Sequence, residues 1–333
     1  MARRLLRLGR GVEVRPFSGF GTSDWVRVGG RVVVGGAATP DRPVPPASTW
    51  QAVRANLSQF VTVEVPYAHV RVAIGDRDQV FSADREGYID AELTGVRLTP
   101  GRHTVTLTPA QPAGEPALAT VHVPDPAADI AVVSDIDDTI IDSGIAHGLV
   151  ATVTTALLRD AATRIPLQGA PQLYRALERA HPLGPPRPFF YLSTSPWNLA
   201  GFLSGFIEEH GFPAGPLLLT DWGPGTAGLF RIATRTHKLT ALRRLAERLA
   251  DVHFVLLGDS GQEDVEIYTA FALECPGRVA AIYVRRAGAA PVAKQQRFER
   301  CARTLSTLGV PFVLADDSAA MLRHAQAHGL AAA

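Results

Sequence analysis

The hydrophobic pattern changes period near residue 125, and that change decides what the chain can fold into. Before it, short segments alternate apolar and polar residues, as half-buried strands do. Residues 26–34, 61–65, 70–74 and 104–108 read this way. Gly75-Asp76 and Pro100-Gly101 supply turn signals, and Pro40 to Pro46 reads as a proline-rich loop. After it, short and largely apolar runs alternate with helix-forming segments. The runs are 130–133, 189–192, 217–219, 252–257, 279–284 and 312–314. Helices are expected over 149–160 and 171–180, from Ser195 to about His210, from about Thr236, from about Glu263 to Pro276, and at the C-terminus. Leu239, Leu242, Leu245 and Leu249 keep helical spacing, and Ser195-Pro196 suits a cap followed by a first-turn proline.

Strand-helix alternation predicts a doubly wound, parallel, Rossmann-like sheet, and the alternating segments predict an all-β, sandwich-like domain before it. The expected domains are 1–124 and 125–333, joined by a linker over 121–128 that contains Pro124 and Pro126. A length of 333 residues fits two domains, and 46% hydrophobic with 20% charged residues describes a soluble globular chain. A net charge of +1 argues against bulk nucleic-acid binding.

Cys275 and Cys301 lack metal-ligand spacing and read as buried thiols in a reducing compartment, hence a cytoplasmic location. No apolar run approaches the roughly 20 residues of a membrane span. The basic start of the chain has no hydrophobic segment after it and does not read as a secretory signal. Its interleaved arginines and leucines suit either a solvated terminus or peripheral contact with an anionic membrane.

The chemistry concentrates after the period change. Asp135-Ile136-Asp137-Asp138-Thr139 follows the run 130–133, so two carboxylates stand at a strand's carboxyl end, where open α/β sheets bind ligands. Ser193 and Thr194 end the run 189–192. Lys238 falls in the first turn of the helix expected from Thr236. Gly258-Asp259 ends the run 252–257, with Asp264 shortly after. All should gather at one sheet edge. Grouped carboxylates repel unless a cation joins them, and magnesium takes oxygen ligands and phosphate. Lysine offers a point charge to phosphate oxygens. One carboxylate can attack while its neighbour handles a proton.

Taken singly, these residues leave alternatives open. An Asp-x-Asp also suits turns and caps. Thr194 competes with Ser193 as phosphate donor. His237 either touches substrate or packs, and Asp142 either caps a helix or lines the entrance. Asp316 and Asp317 read as caps of the last helix. Gly223-x-Gly225-x-x-Gly228 is interrupted by Pro224 and reads as a loop beside the site. Trp197, Leu199, Phe202 and Trp222 suit acyl chains or, more commonly, core packing.

The ordered strings are Ser134-Asp135-Ile136-Asp137-Asp138-Thr139-Ile140, Tyr191-Leu192-Ser193-Thr194-Ser195-Pro196-Trp197, His237-Lys238 and Gly258-Asp259-Ser260-Gly261-Gln262-Glu263-Asp264, with Glu266-Ile267-Tyr268 after them. Together they resemble the haloacid dehalogenase superfamily, and within it the phosphatidate phosphatases of the actin-patch type with their bacterial relatives. The resemblance covers most of residues 129–330, and residues 1–124 resemble the relatives' accessory leader domain.

The resemblance implies a sheet of the haloacid dehalogenase type and a magnesium-dependent phosphatase. Asp135 would be the nucleophile and Asp137 the acid and base, while Ser193 and Lys238 would hold phosphoryl oxygens. Asp135, Asp259 and the backbone carbonyl of Asp137 would bind Mg2+, with Asp264 orienting Lys238 or a metal-bound water. The implied substrate is phosphatidate, cleaved to diacylglycerol and phosphate. A soluble phosphomonoester or phosphoprotein, and a non-catalytic membrane or partner-binding scaffold, are the competing expectations. The short segment between the first two strings leaves room for a minimal cap only, so an open site is expected.

Overall fold

The computed structural model describes residues 2, 5, 10–35, 63–141, 165–180, 183–220, 230–288 and 291–332. The chain divides into two compact units, Met1–Pro124 and Asp125–Ala333.

In the first unit the strands are β1 (Val12–Pro16), β2 (Gly19–Gly21), β3 (Trp25–Val34), β4 (His69–Ile74), β5 (Arg77–Ser82), β6 (Tyr88–Thr94), β7 (Gly101–Gln111) and β8 (Ala117–Val123). They pair in the order β1-β3-β2-β8-β7-β4-β5, with β6 on β3. All pairs are antiparallel except β2 with β8. The expected two-sheet sandwich is instead one hydrogen-bonded sheet. It curls over its own apolar face, so Val14 of β1, Val72 of β4 and Leu107 of β7 share one core. Residues 63–65 add to β3 through a bridge from Glu64 to Val33, while 61 and 62 lie outside the described residues. The linker starts later than expected. Val121 and Val123 belong to β8 and are buried in the core, which leaves Pro124 onward to connect the units.

His122 on β8 pairs with Phe20 of β2 and Arg102 of β7. Burial, and then the Arg102 charge, push its pKa down to about 4. The folded protein therefore keeps it neutral while the unfolded chain protonates near pH 6.5. Stability is complete above pH 6.5 and falls as pH drops toward 4. Replacing His122 by Gln should remove up to about 3 kcal/mol of that acid loss. Urea midpoints of both proteins at pH 7 and pH 4.5 test it; equal acid losses would contradict it.

In the second unit six strands form one parallel sheet. They are β9 (Ile130–Ser134), β10 (Phe189–Pro196), β11 (Leu217–Thr220), β12 (His253–Asp259), β13 (Val279–Arg285) and β14 (Phe312–Ala315). The helices are α1 (Ala170–Glu178), α2 (Ala200–Glu209), α3 (Phe230–Arg248), α4 (Asp264–Glu274), α5 (Val292–Thr307) and α6 (Ser318–Ala327). The strand order is β11-β10-β9-β12-β13-β14. Every residue of β9 is buried, which explains its continuous apolar run, since a central parallel strand is covered on both faces. The chain leaves β9 toward β10 and β11 on one side and returns to β12 on the other. That reversal is a topological switch point at β9, and open α/β sheets bind ligands beyond the carboxyl ends of the strands at such a point.

Local expectations shift in several places. Ser195 and Pro196 end β10 rather than starting a helix, and a short 3-10 turn, Trp197–Leu199, precedes α2. α3 begins at Phe230, so Lys238 sits beyond its second turn rather than in its first. Asp317 caps α6 through the Ala320 amide at 2.7 Å, but Asp316 pairs with Arg286 at 2.9 Å instead. Cys275 and Cys301 are free thiols, half-buried rather than buried. The helix expected over 149–160 lies outside the described residues.

Candidate active site

The end of β9 builds the first part of the site. The Asp135 amide donates to the Leu257 carbonyl at 2.9 Å, which extends the strand ladder by one residue. The chain then turns sharply. The amides of Thr139, Ile140 and Ile141 all return to the Ile136 carbonyl, and Asp138 takes the left-handed backbone (φ 56°) that Asp tolerates better than most residues. Ile136, Ile140 and Ile141 are fully buried and anchor this turn. Arg285, at the end of β13, donates to the Asp138 carbonyl at 3.3 Å. Asp135 is thereby buried, whereas Asp137 is partly exposed.

Lys238 reaches this turn from α3. Its Nζ is wholly buried and donates to Asp135 Oδ1 at 2.6 Å and to Asp264 Oδ1 at 2.5 Å. Asp264 opens α4, and its Oδ2 accepts the Asp259 amide at 3.2 Å. This packing requires a glycine at 258: a Cβ there would lie 2.6 Å from Asp264 Oδ2. Asp259 Oδ1 accepts the amides of Gly261 and Gln262, but its Oδ2 is buried with no hydrogen-bond partner among the described residues. Thr139 Oγ1 donates to Asp135 Oδ2 at 3.2 Å.

The electrostatics are those of an acid-rich site with one buried cation. Burial raises the Asp135 carboxyl well above the usual range, although Lys238 opposes this. Burial, and then the Asp264 charge, raise Asp259 to about 7. Burial alone would lower Lys238, but Asp135 and Asp264 outweigh it and raise its pKa. Oxygens of Asp135, Asp259 and Asp264 lie within 4.8 Å of one another. A hard divalent cation fits this donor set: it would give the orphaned Asp259 Oδ2 a partner and offset the carboxylate repulsion.

A Gly258→Ala change should push Asp264 off its lysine and the Asp259 amide. We expect a stability loss of about 1–3 kcal/mol and an activity loss of about 100-fold. Denaturation together with turnover of a phosphate ester checks it, and unchanged turnover would contradict this placement of Asp264.

Asp137 faces β10 and stands apart from the three-carboxylate cluster. Its Oδ2 accepts Ser193 Oγ at 3.0 Å and Ser195 Oγ at 3.1 Å. The Ser195 amide donates to Ser193 Oγ at 2.9 Å. Burial raises the Asp137 pKa, and the two serine hydroxyls oppose that rise. The pairing of β10 with β11 is irregular between Leu192 and Pro196, the stretch that carries both serines.

The structure thus brings Asp135, Lys238, Asp259 and Asp264 into contact, and joins Asp137 to Ser193. Thr194, beside Ser193 at the end of β10, is buried. His237 Nε2 lies 3.3 Å from the Leu218 carbonyl, so the ring packs on β11. Leu199 is buried in the core and Phe202 lies against Phe206. Asp142, Trp222 and the glycines at 223, 225 and 228 lie outside the described residues. Sequence reasoning missed Ser195; the signal for it was the two-residue spacing from Ser193, which puts both on one face of a strand.

Residues 130–286, from β9 through β13, match the family described as phosphatidate phosphatase APP1, catalytic domain. Phosphatidate phosphatase APP1 of Saccharomyces cerevisiae is 29% identical over 156 residues, 47% of this chain and 26% of that protein. An uncharacterized protein of Schizosaccharomyces pombe is 28% identical over 160 residues, 47% of this chain and 25% of its own length. The chain therefore spans about a quarter of these relatives' length. A solved carbohydrate acetylesterase from Xanthomonas citri aligns over 87% of this chain and 72% of its own, at TM-score 0.28 and 9% identity, too weak to bear on fold or function.

Proposed function

We propose that the second unit is a magnesium-dependent phosphatase of the haloacid dehalogenase type, that it hydrolyses phosphatidate to diacylglycerol and phosphate, and that residues 1–124 are its accessory domain. The observation that carries this reading is the buried ammonium of Lys238 bridging Asp135 and Asp264, beside the unpartnered oxygen of Asp259. The family match supports it, and the phosphatidate substrate comes from the activity for which the yeast relative is named.

Asp135 is the nucleophile of this mechanism. Its carboxylate oxygen bonds to phosphorus while the phosphorus–alcohol bond breaks, and the electron pair leaves on the alcohol oxygen. Asp137 gives that oxygen its proton, and the products are an aspartyl phosphate and the free alcohol. Asp137, now a carboxylate, then takes a proton from water as that water attacks phosphorus. Phosphate leaves and Asp135 is restored. Lys238 and Ser193 hold phosphoryl oxygens, and Asp264 holds Lys238. Asp135, Asp259 and the Asp137 carbonyl would hold magnesium, which when bound supplies positive charge against the phosphoryl oxygens.

A substrate panel tests the reading. The full chain with magnesium is given phosphatidate vesicles in one arm and soluble phosphomonoesters in the other. Release of phosphate from the vesicles, and much less from soluble esters, is expected. Release from soluble esters alone would overturn the lipid assignment, and no release from either would overturn the enzyme.

A further inference from the structure

We propose that Ser195 is a positioning residue for Asp137, and that it keeps hold of that carboxyl when Ser193 turns to the phosphoryl group. The inference rests on the phosphatase reading and deepens it.

The hydroxyl of Ser193 has one proton to give. In the structure that proton goes to Asp137 Oδ2, and the same oxygen of Ser193 accepts the Ser195 amide. Committed in this way, Ser193 has nothing to donate to a phosphoryl oxygen. It serves the phosphoryl group only by letting go of Asp137. A carboxyl group released at that moment would lose its orientation just as the alcohol oxygen needs its proton.

Ser195 removes this conflict. Its Oγ donates to the same Asp137 Oδ2 from 3.1 Å, so the carboxyl stays held after Ser193 turns. Ser195 is itself rigidly placed. It is buried in the last part of β10, followed by Pro196 in an extended conformation (φ −71°, ψ 150°). With Oδ2 occupied by a donor, Oδ1 is the oxygen that carries the transferable proton. In the first half-reaction the P–O electron pair passes to the alcohol oxygen, which takes this proton from Oδ1, and Asp137 is left as a carboxylate held by Ser195.

The experiment compares kcat/KM for hexyl phosphate and p-nitrophenyl phosphate with the full chain and magnesium. An alkoxide leaves only with a proton, whereas nitrophenolate leaves without one. Ser195→Ala should therefore lower kcat/KM about 10- to 100-fold on hexyl phosphate and less than about threefold on the nitrophenyl ester. Ser193→Ala should lower both substrates similarly, because both present the same phosphoryl group. Ser195→Cys, similar in size but a weak donor, should show the same selective loss and carries the test if the alanine variant fails to fold. Equal loss on both esters, or no loss on hexyl phosphate, would overturn the role of Ser195 and leave the phosphatase reading standing. Wild-type protein inert on both esters and on phosphatidate vesicles would overturn that reading and this inference with it.

Discussion

Replacing Asp135 by Asn should lower phosphate release by at least about 10,000-fold while leaving the second unit folded. The loss is large because the amide is a poor nucleophile. Lys238 already separates Asp135 from Asp264, and burial makes the Asp135 charge costly in the metal-free protein. The asparagine keeps the shape and the contact with Thr139, and Lys238 retains Asp264 as its counter-ion. Stability should therefore change by no more than about 1 kcal/mol. Parallel measurements of turnover and thermal unfolding test the two halves of the expectation. Inactivity that came with unfolding would mean that Asp135 acts as a structural anchor.

Lys238 should behave in the opposite way, with the larger effect on stability. A Lys238→Met change removes the one ammonium between two buried carboxylates and fills its space with an apolar chain. Breaking a buried pair from one side costs about 3–5 kcal/mol, since the charges left behind have no partner. For a unit of this size that corresponds to a drop of about 10 °C in the unfolding midpoint. Adding Asp264→Asn to the same chain removes one of the stranded charges and should recover part of the loss. A single variant as stable as wild type would show that the lysine is not the electrostatic centre of the site. Both variants should be inactive, because each lacks the cation that meets the phosphoryl oxygens.

The reading of the site from sequence succeeded where residues lie at strand ends and failed where tertiary contacts overrode local pattern. The all-buried β9 announces itself as a continuous apolar run, and the acids after it follow from the chain's position at the sheet edge. Ser195 was misread because Ser-Pro-Trp satisfies the local rules for a helix start. In the fold, its hydroxyl is drawn to Asp137, 58 residues away in sequence, and β10 continues to Pro196. The start of α3 was placed late because Ile232, Thr234 and Thr236 are weak helix formers.

In the first unit, β5 was invisible to periodicity. It is an edge strand with mostly exposed residues, so no apolar alternation records it, and its pairing with β4 decides its conformation. The single curled sheet was read as a sandwich for a related reason. Alternation tells which face of a strand is buried but not whether two faces belong to one sheet or two. The unpartnered oxygen of Asp259 could not be foreseen at all, since it depends on the amides of Gly261 and Gln262 both turning to the other oxygen.

The central claim is that Asp135 itself takes the phosphoryl group. The most direct test is to quench the full chain during turnover of phosphatidate, reduce it with borohydride, and map its peptides. An aspartyl phosphate is reduced to homoserine, so homoserine at position 135, dependent on substrate and magnesium, is the expected result. An unmodified Asp135 in protein that is releasing phosphate, or reduction at another carboxylate instead, would contradict it.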